Sequence, residues 1–190
     1  LAGGGKDGSI PADALNWNEE AARQAFDDGR LLFLRDWSDA EPALRGASTS
    51  TASSAPPRLG VAQIPGRSGV GTAVAGGVGL GISPWGRNQA TAADFIRWVG
   101  SEAVQRELLE KGSVAPARED LYADADLSTK IAYLPVLAAA VHSARPLPVT
   151  PKYPDVSAAI QAATHPVLKG TQDASEAMAA LQTQLTNLLK

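Results

Sequence analysis

RLGVAQIPGRSG (Arg58 to Gly69) and AVAGGVGLGISPWGRNQATAADFIRWVGSEAVQRELLEKGSVAPARED (Ala73 to Asp120) decide the fold of this chain. Leu59 to Ile64 is a short apolar run closed by Pro65 and Gly66, the pattern of a strand ended by a turn. Thr72 to Ser83 resumes strand character, with glycines that leave its backbone bare. Thr91 with Asp94 three residues on predicts a capped helix, and Ser101 predicts a second after Gly100 interrupts the first. Both helices are amphipathic and are expected to pack on one sheet, an α/β arrangement. The stretch carries no catalytic signature. Gly77 to Gly81 is not G-x-G-x-x-G and no P-loop lysine follows, while Gly66-Arg67-Ser68-Gly69 is not the G-x-S-x-G elbow of a hydrolase.

Upstream, Asn18 followed by Glu19 and Glu20 predicts an N-cap with acids where they favour the helix dipole. Ala22, Ala25 and Phe26 form the expected buried stripe, and Gly29 the stop. Leu31 to Trp37 reads as a buried strand because its apolar run is short and closely bounded. Residues 46–58 (GASTSTASSAPPR) have no apolar period and read as a mobile surface loop. Downstream, helices are expected over Ser128 to about His142, Ser157 to about Leu168, and Asp173 to Leu189. The last has Asp173 and Glu176 at capping-box spacing and Met178, Leu181, Leu185 and Leu188 on one stripe. Arg145 to Tyr153 and Pro154 is too proline-rich for a helix interior or a central strand.

The bulk composition narrows the function classes. With 190 residues, 44% of them hydrophobic, the chain can bury the core of one domain or two small lobes. Seventeen basic against 20 acidic residues, without any clustered basic run, give no phosphate-binding face and exclude a nucleic-acid reading. Zero cysteines remove disulfides, thiolate metal sites and cysteine nucleophiles. His142 and His165 are the two histidines, in no metal-ligand spacing, and read as helix-surface or capping residues. Asp27-Asp28 and Glu119-Asp120 sit near helix ends, where solvation and capping explain them. No cofactor is expected.

Five pieces in order carry a resemblance: Gly60-Val61-Ala62-Gln63-Ile64-Pro65-Gly66, Gly76-Gly77 to Ile82-Ser83, Ala93 to Trp98, Ser101 to Gln105, and Gly112 to Arg118. They resemble "GVAPLPG", a Gly-Gly strand ending in "IS", "AxxFIxW", "S-x-E-x-Q" and "G-x-x-P-x-R" of the sugar-binding family of extracytoplasmic solute-binding proteins of bacterial ABC importers. The run Arg145 to Ser157 is similar to the "RPxxPxYxxVS" segment before that family's terminal helices. Phe33 to Ala40 resembles "FMRNWPYA" of its trehalose- and maltose-type branch.

The resemblance implies an α/β periplasmic-binding-protein-like (type II) two-lobed fold, present here as a C-terminal fragment contributing to both lobes. Residues 1–57 would belong to the C-terminal lobe, 58–115 to the N-terminal lobe, and 116–190 to a hinge crossing and C-terminal-lobe helices. Family members are roughly twice this long, and the chain opens at Leu1 in a turn-like LAGGGKDGSIP. The resemblance therefore implies a missing N-terminal half carrying the export signal, an extracytoplasmic location, and room for an upstream lipid anchor. It also implies exposed apolar faces where that half would pack.

Trp37 leads the candidate ligand residues, since an indole can stack on the apolar face of a pyranose. Asp36 could accept and Arg35 donate hydrogen bonds to sugar hydroxyls, on opposite faces of a strand. Gly76 and Gly77 would let a ligand approach the backbone. Val78 stands where much of the family has an aromatic, which removes one stacking platform. Arg145 and Tyr153 flank the proline-rich crossing, either able to reach a ligand, and Trp85 reads as a surface aromatic. The implied function is capture of a disaccharide or oligosaccharide and its delivery to the transmembrane permease, with no catalysis. The alternatives are a carbohydrate-active enzyme using cleft carboxylates, or a non-catalytic interaction domain.

Overall fold

The computed structural model describes residues 2–40, 44 and 59–190. Their contacts form two units, Leu1–Gln24 with Pro148–Lys190, and Ala25–Leu147. The segment 46–58, expected as a loop, lies outside the described residues. Helices dominate, and none among the described residues is long and apolar enough to cross a membrane.

In the first unit α1 (Ala2–Asp7) leads to α2 (Glu19–Asp27), which runs on into the second unit. Asn18 caps α2 as expected: its Oδ1 accepts from the Ala21 amide at 2.8 Å. Ala25 is the buried residue of its stripe, and Gly29, with φ of 72°, supplies the left-handed turn that ends it. The main pair is α7 (Tyr153–Leu168) and α8 (Ala174–Leu188), packed through Val156, Ala159, Val167, Ala177 and Leu181. The α7 helix starts at Tyr153 rather than Ser157 because Pro154 sits in its first turn, where a missing N–H costs nothing. Gly170, at φ of 73°, closes α7 while the Thr171 amide donates back to the Pro166 carbonyl at 3.0 Å. Asp173 then caps α8, accepting from the Ser175 and Glu176 amides at 2.8 and 3.1 Å. The buried line of α8 is Ala177 and Leu181; Met178, expected on it, is exposed because it sits one residue off that line.

The second unit contains β1 (Pro65–Gly66) and β2 (Gly69–Val70), an antiparallel hairpin, then α3 (Gln89–Val99), α4 (Glu102–Gly112), α5 (Ala125–Lys130) and α6 (Leu134–Ser143). Its core is Leu109, Leu121, Leu127 and Leu134, with Tyr122, Ile131 and Leu137 against it. Gln105 is buried for a reason: its Oε1 accepts from the Ala117 amide at 2.8 Å and its Nε2 donates to the Val99 carbonyl at 2.9 Å. One side chain thus joins the α3–α4 turn to the loop after α4, satisfying two backbone groups. Arg106 pairs with Asp124, which also caps α5 by accepting from the Leu127 amide at 2.9 Å.

Four expectations need correction here. Residues 31–37 form no strand, and Leu32 and Phe33 are each 89% exposed. A strand persists only where a neighbour takes its N–H and C=O groups. Among the described residues the ladders are the short hairpin and one parallel bridge between Val74 and Arg145. For the same reason 59–64 and 72–83 are irregular apart from that bridge. Asn88, not Thr91, precedes α3, and Asp94 instead pairs with Arg97 one turn on at 2.5 Å. The helix expected over 128–142 is two helices, broken after Lys130 and restarted with Pro135 in the first turn of α6.

Candidate ligand-binding site

The Ala25–Leu147 unit brings three separated segments together along the 73–76 strip. The Trp37 backbone is held on both sides: its amide donates to Asp36 Oδ1 at 2.7 Å, and its carbonyl accepts from Ala40 at 3.2 Å through the 3₁₀ turn Ser38–Ala40. The indole is 53% exposed. Its six-membered ring lies against Gly76, where a Cβ would stand 2.9 Å from Cη2 and 3.1 Å from Cζ3. Arg145 reaches the same strip from the far end of the unit. Its amide donates to the Ala73 carbonyl at 2.9 Å, and its carbonyl accepts from the Ala75 amide at 2.8 Å.

Trp37, Asp36, Gly76, Gly77, Val78 and Arg145 therefore share one unit, joined by one bridge and one ring contact. The two glycines differ. The close approach at Gly76 is made by the chain's own tryptophan, whereas the space at Gly77 is open. Val78 is 97% exposed just beyond it. Tyr153 belongs to the other unit, half-buried in the first turn of α7. Trp85 is exposed, as expected of a surface aromatic. The Trp37–Gly76 contact was not foreseen; an aromatic with a bare glycine pair elsewhere in the chain was its one available signal.

A half-exposed indole offers an apolar face, and the Asp36 carboxylate beside its backbone offers a directional hydrogen-bond acceptor. That combination suits a polyol ring, apolar on its faces and polar at its edge. No cluster of candidate metal ligands occurs among the described residues. Both oxygens of Asp120 are taken by Arg118 at 2.6 and 3.1 Å, and that hydrogen-bonded partner holds Asp120 below the usual carboxylate range. Burial, then the neighbouring Asp28, raises Asp27 at the end of α2. His142 lies 3.6 Å from Glu119 and 6.3 Å, ring to ring, from Tyr122, whose phenol burial pushes up. A concavity of about 430 Å³ is lined by Gln161, Thr164, His165 and Pro166 of α7.

Comparison with solved structures gives the class. The maltose-bound T. maritima MalE3 matches with a TM-score of 0.80 and 26% identity, over 94% of this chain and 45% of that one. The fold is periplasmic-binding-protein-like. Residues 1–135 match the family model of bacterial extracellular solute-binding proteins, and the chain belongs to that family. A probable ABC transporter-binding protein of Deinococcus radiodurans is 29% identical over 184 residues, 95% of this chain and 43% of the relative. The chain thus spans less than half the length of these relatives.

Proposed function

We propose that the whole protein is the substrate-binding component of an ABC importer that captures a carbohydrate, a disaccharide or oligosaccharide, and delivers it to the membrane permease. The observation that carries this reading is the half-exposed Trp37 indole beside Asp36, in a chain whose fold matches a maltose-bound protein. Trp37 is the stacking platform, Asp36 an acceptor and Arg145 a donor for sugar hydroxyls. Gly77 is the point of close backbone approach, with Val78 in place of a second aromatic. Tyr153, in the first turn of α7, is a separate candidate ligand contact in the other unit.

The mechanism is capture without bond-making. A sugar that contacts the closed state better than the open one shifts the population to the closed form, which the permease recognises. In this reading residues 1–57 and 116–190 contribute to the C-terminal lobe and 58–115 to the N-terminal lobe, completed by an N-terminal half of the same protein. Support comes from the apolar surface of the described chain. The α3 helix buries no residue, and Phe95 and Trp98, rings 5.7 Å apart, are 53% and 59% exposed. Such a face is a packing surface. The location is extracytoplasmic, in keeping with the family, with an upstream lipid anchor as the tether.

The test is a thermal-shift screen of the full-length protein against mono-, di- and oligosaccharides. A ligand that binds only the folded state raises Tm by mass action. A shift by one sugar class, lost in Trp37→Ala, supports the reading. No shift by any sugar removes it, and release of product from an oligosaccharide over time would instead mark an enzyme.

A further inference from the structure

We infer that the turn at residues 83–86 presents Trp85 as a preformed anchor for a protein partner, the membrane permease, which meets it with an apolar socket rimmed by acidic side chains. The sequence has the composition of a tight turn, with Ser83 first, Pro84 second and Gly86 fourth. The structure closes it: the Gly86 amide donates to the Ser83 carbonyl at 3.0 Å, and the Trp85 amide to Ser83 Oγ at 3.4 Å. Gln89, the first residue of α3, fastens the turn further, its Nε2 donating to the Ser83 and Pro84 carbonyls at 3.2 and 2.9 Å. These bonds hold backbone and leave the indole uncovered. At 89% it is the most exposed of the four tryptophans.

A large ring held out on a fixed backbone has the form of a binding anchor. Tryptophan has only two side-chain torsions to order, and the turn beneath it is already ordered before any partner arrives. Arg87, two residues on, is also exposed. The charge of this region has one sign: residues 42–93 contain Arg45, Arg58, Arg67 and Arg87 and no Asp or Glu, in a chain of net charge -3. That sign selects an acidic rim on the partner. It disfavours a second copy of the chain, which across a two-fold interface would set like charges against each other. A lipid surface is a poor match, because firm attachment takes a cluster of basic residues or the apolar face of a helix, and one indole with one arginine is neither. Cover by another part of the same chain would bury Arg87 beside the ring, whereas turns of this kind run over surfaces. The choice of the permease rests on the importer reading above; the presentation of Trp85 does not.

The experiment uses the full-length protein, its importer's permease in lipid nanodiscs, and maltose as the ligand. Iodide is expected to quench the part of the fluorescence that Trp85→Phe removes. Trp85→Ala is expected to keep the wild-type Kd for maltose and to bind the permease nanodiscs about tenfold more weakly. Gln89→Ala, which retains the ring and unfastens the turn, is expected to fall between the two. Arg87→Glu is expected to weaken permease binding at low salt and less at high salt. Undiminished permease binding by Trp85→Ala overturns the inference. So does shielding of Trp85 from iodide, which would put the ring under the chain's own fold, equal binding to nanodiscs of the same lipid without permease, or a homodimer that Trp85→Ala dissolves. Absence of sugar binding in the wild type removes the carbohydrate reading alone, since the permease titration is then read without ligand. Absence of permease binding in the wild type removes the importer reading and this inference together.

Discussion

Replacing Trp37 with alanine separates the two halves of that side chain, one facing solvent and one packed. With 53% of the residue exposed, a large aromatic leaves about 110 Å² accessible out of its 150–250 Å². A sugar ring covers one face, about 55 Å², which at ~25 cal/mol/Å² is about 1.4 kcal/mol, or about tenfold in Kd. The packed half, about 100 Å², contributes up to ~2.5 kcal/mol to folding, an upper bound because the unfolded chain is not fully extended. The variant should therefore both bind more weakly and melt earlier. Isothermal titration of the full-length protein with maltose, run well below either melting transition, reads the first effect alone. Trp85→Ala is the control, since Trp85 lies in the same unit at 89% exposure and does not take part in the Trp37–Gly76 contact. A Kd for Trp37→Ala within about twofold of wild type, or an equal loss in Trp85→Ala, would refute the stacking argument.

Leu109, fully buried in the four-leucine core, should lose about 3–5 kcal/mol of stability on truncation to alanine, read as a lower urea midpoint at unchanged slope. Gln105→Leu keeps the volume but strands the Ala117 amide and the Val99 carbonyl, a cost of about 2–4 kcal/mol by the same measurement. Asp173→Ala removes the cap of α8 and should cost about 1 kcal/mol, with faster hydrogen exchange at the Ser175 and Glu176 amides. Asp124 is held below its ordinary value of 3.8, first by the hydrogen bond from Arg106 and next by that from the Leu127 amide. Its folded-state pKa being depressed, the stability it adds is present above 3.8 and is lost as pH falls through the lowered value. Arg106→Met should flatten that part of the Tm-against-pH curve, and an unchanged curve would count against the pair.

Much of the helical frame was legible because its signals are local. Asn18, Gly29 and Asp173 act within one turn of their own positions, and the structure uses each as the sequence implies. The strands were not legible to the same degree, because a strand is a property of two segments. The apolar run 31–37 has the composition of a buried strand yet no ladder among the described residues, and its Leu32 and Phe33 face outward. Capping failed at Thr91 for a related reason. Asp94 has a nearer partner in Arg97, and an ion pair one turn away competes with the cap.

The candidate site divides the same way. Trp37 could be singled out as an aromatic among polar neighbours, and the glycine pair as bare backbone, but their contact spans 39 positions of sequence (76 less 37) and no local pattern encodes it. The bridge of Arg145 to residues 73–75 is longer still. These two non-local contacts meet within three residues of each other along the 73–76 strip. Gly76 is the point of closest approach to the ring, while Val78 two positions on is exposed. Val78→Trp should accordingly add a second apolar face without disturbing Trp37, strengthening maltose binding with its Tm held. Unchanged or weaker maltose binding in that variant, at unchanged Tm, would refute the idea that the open space beyond Gly77 faces the ligand.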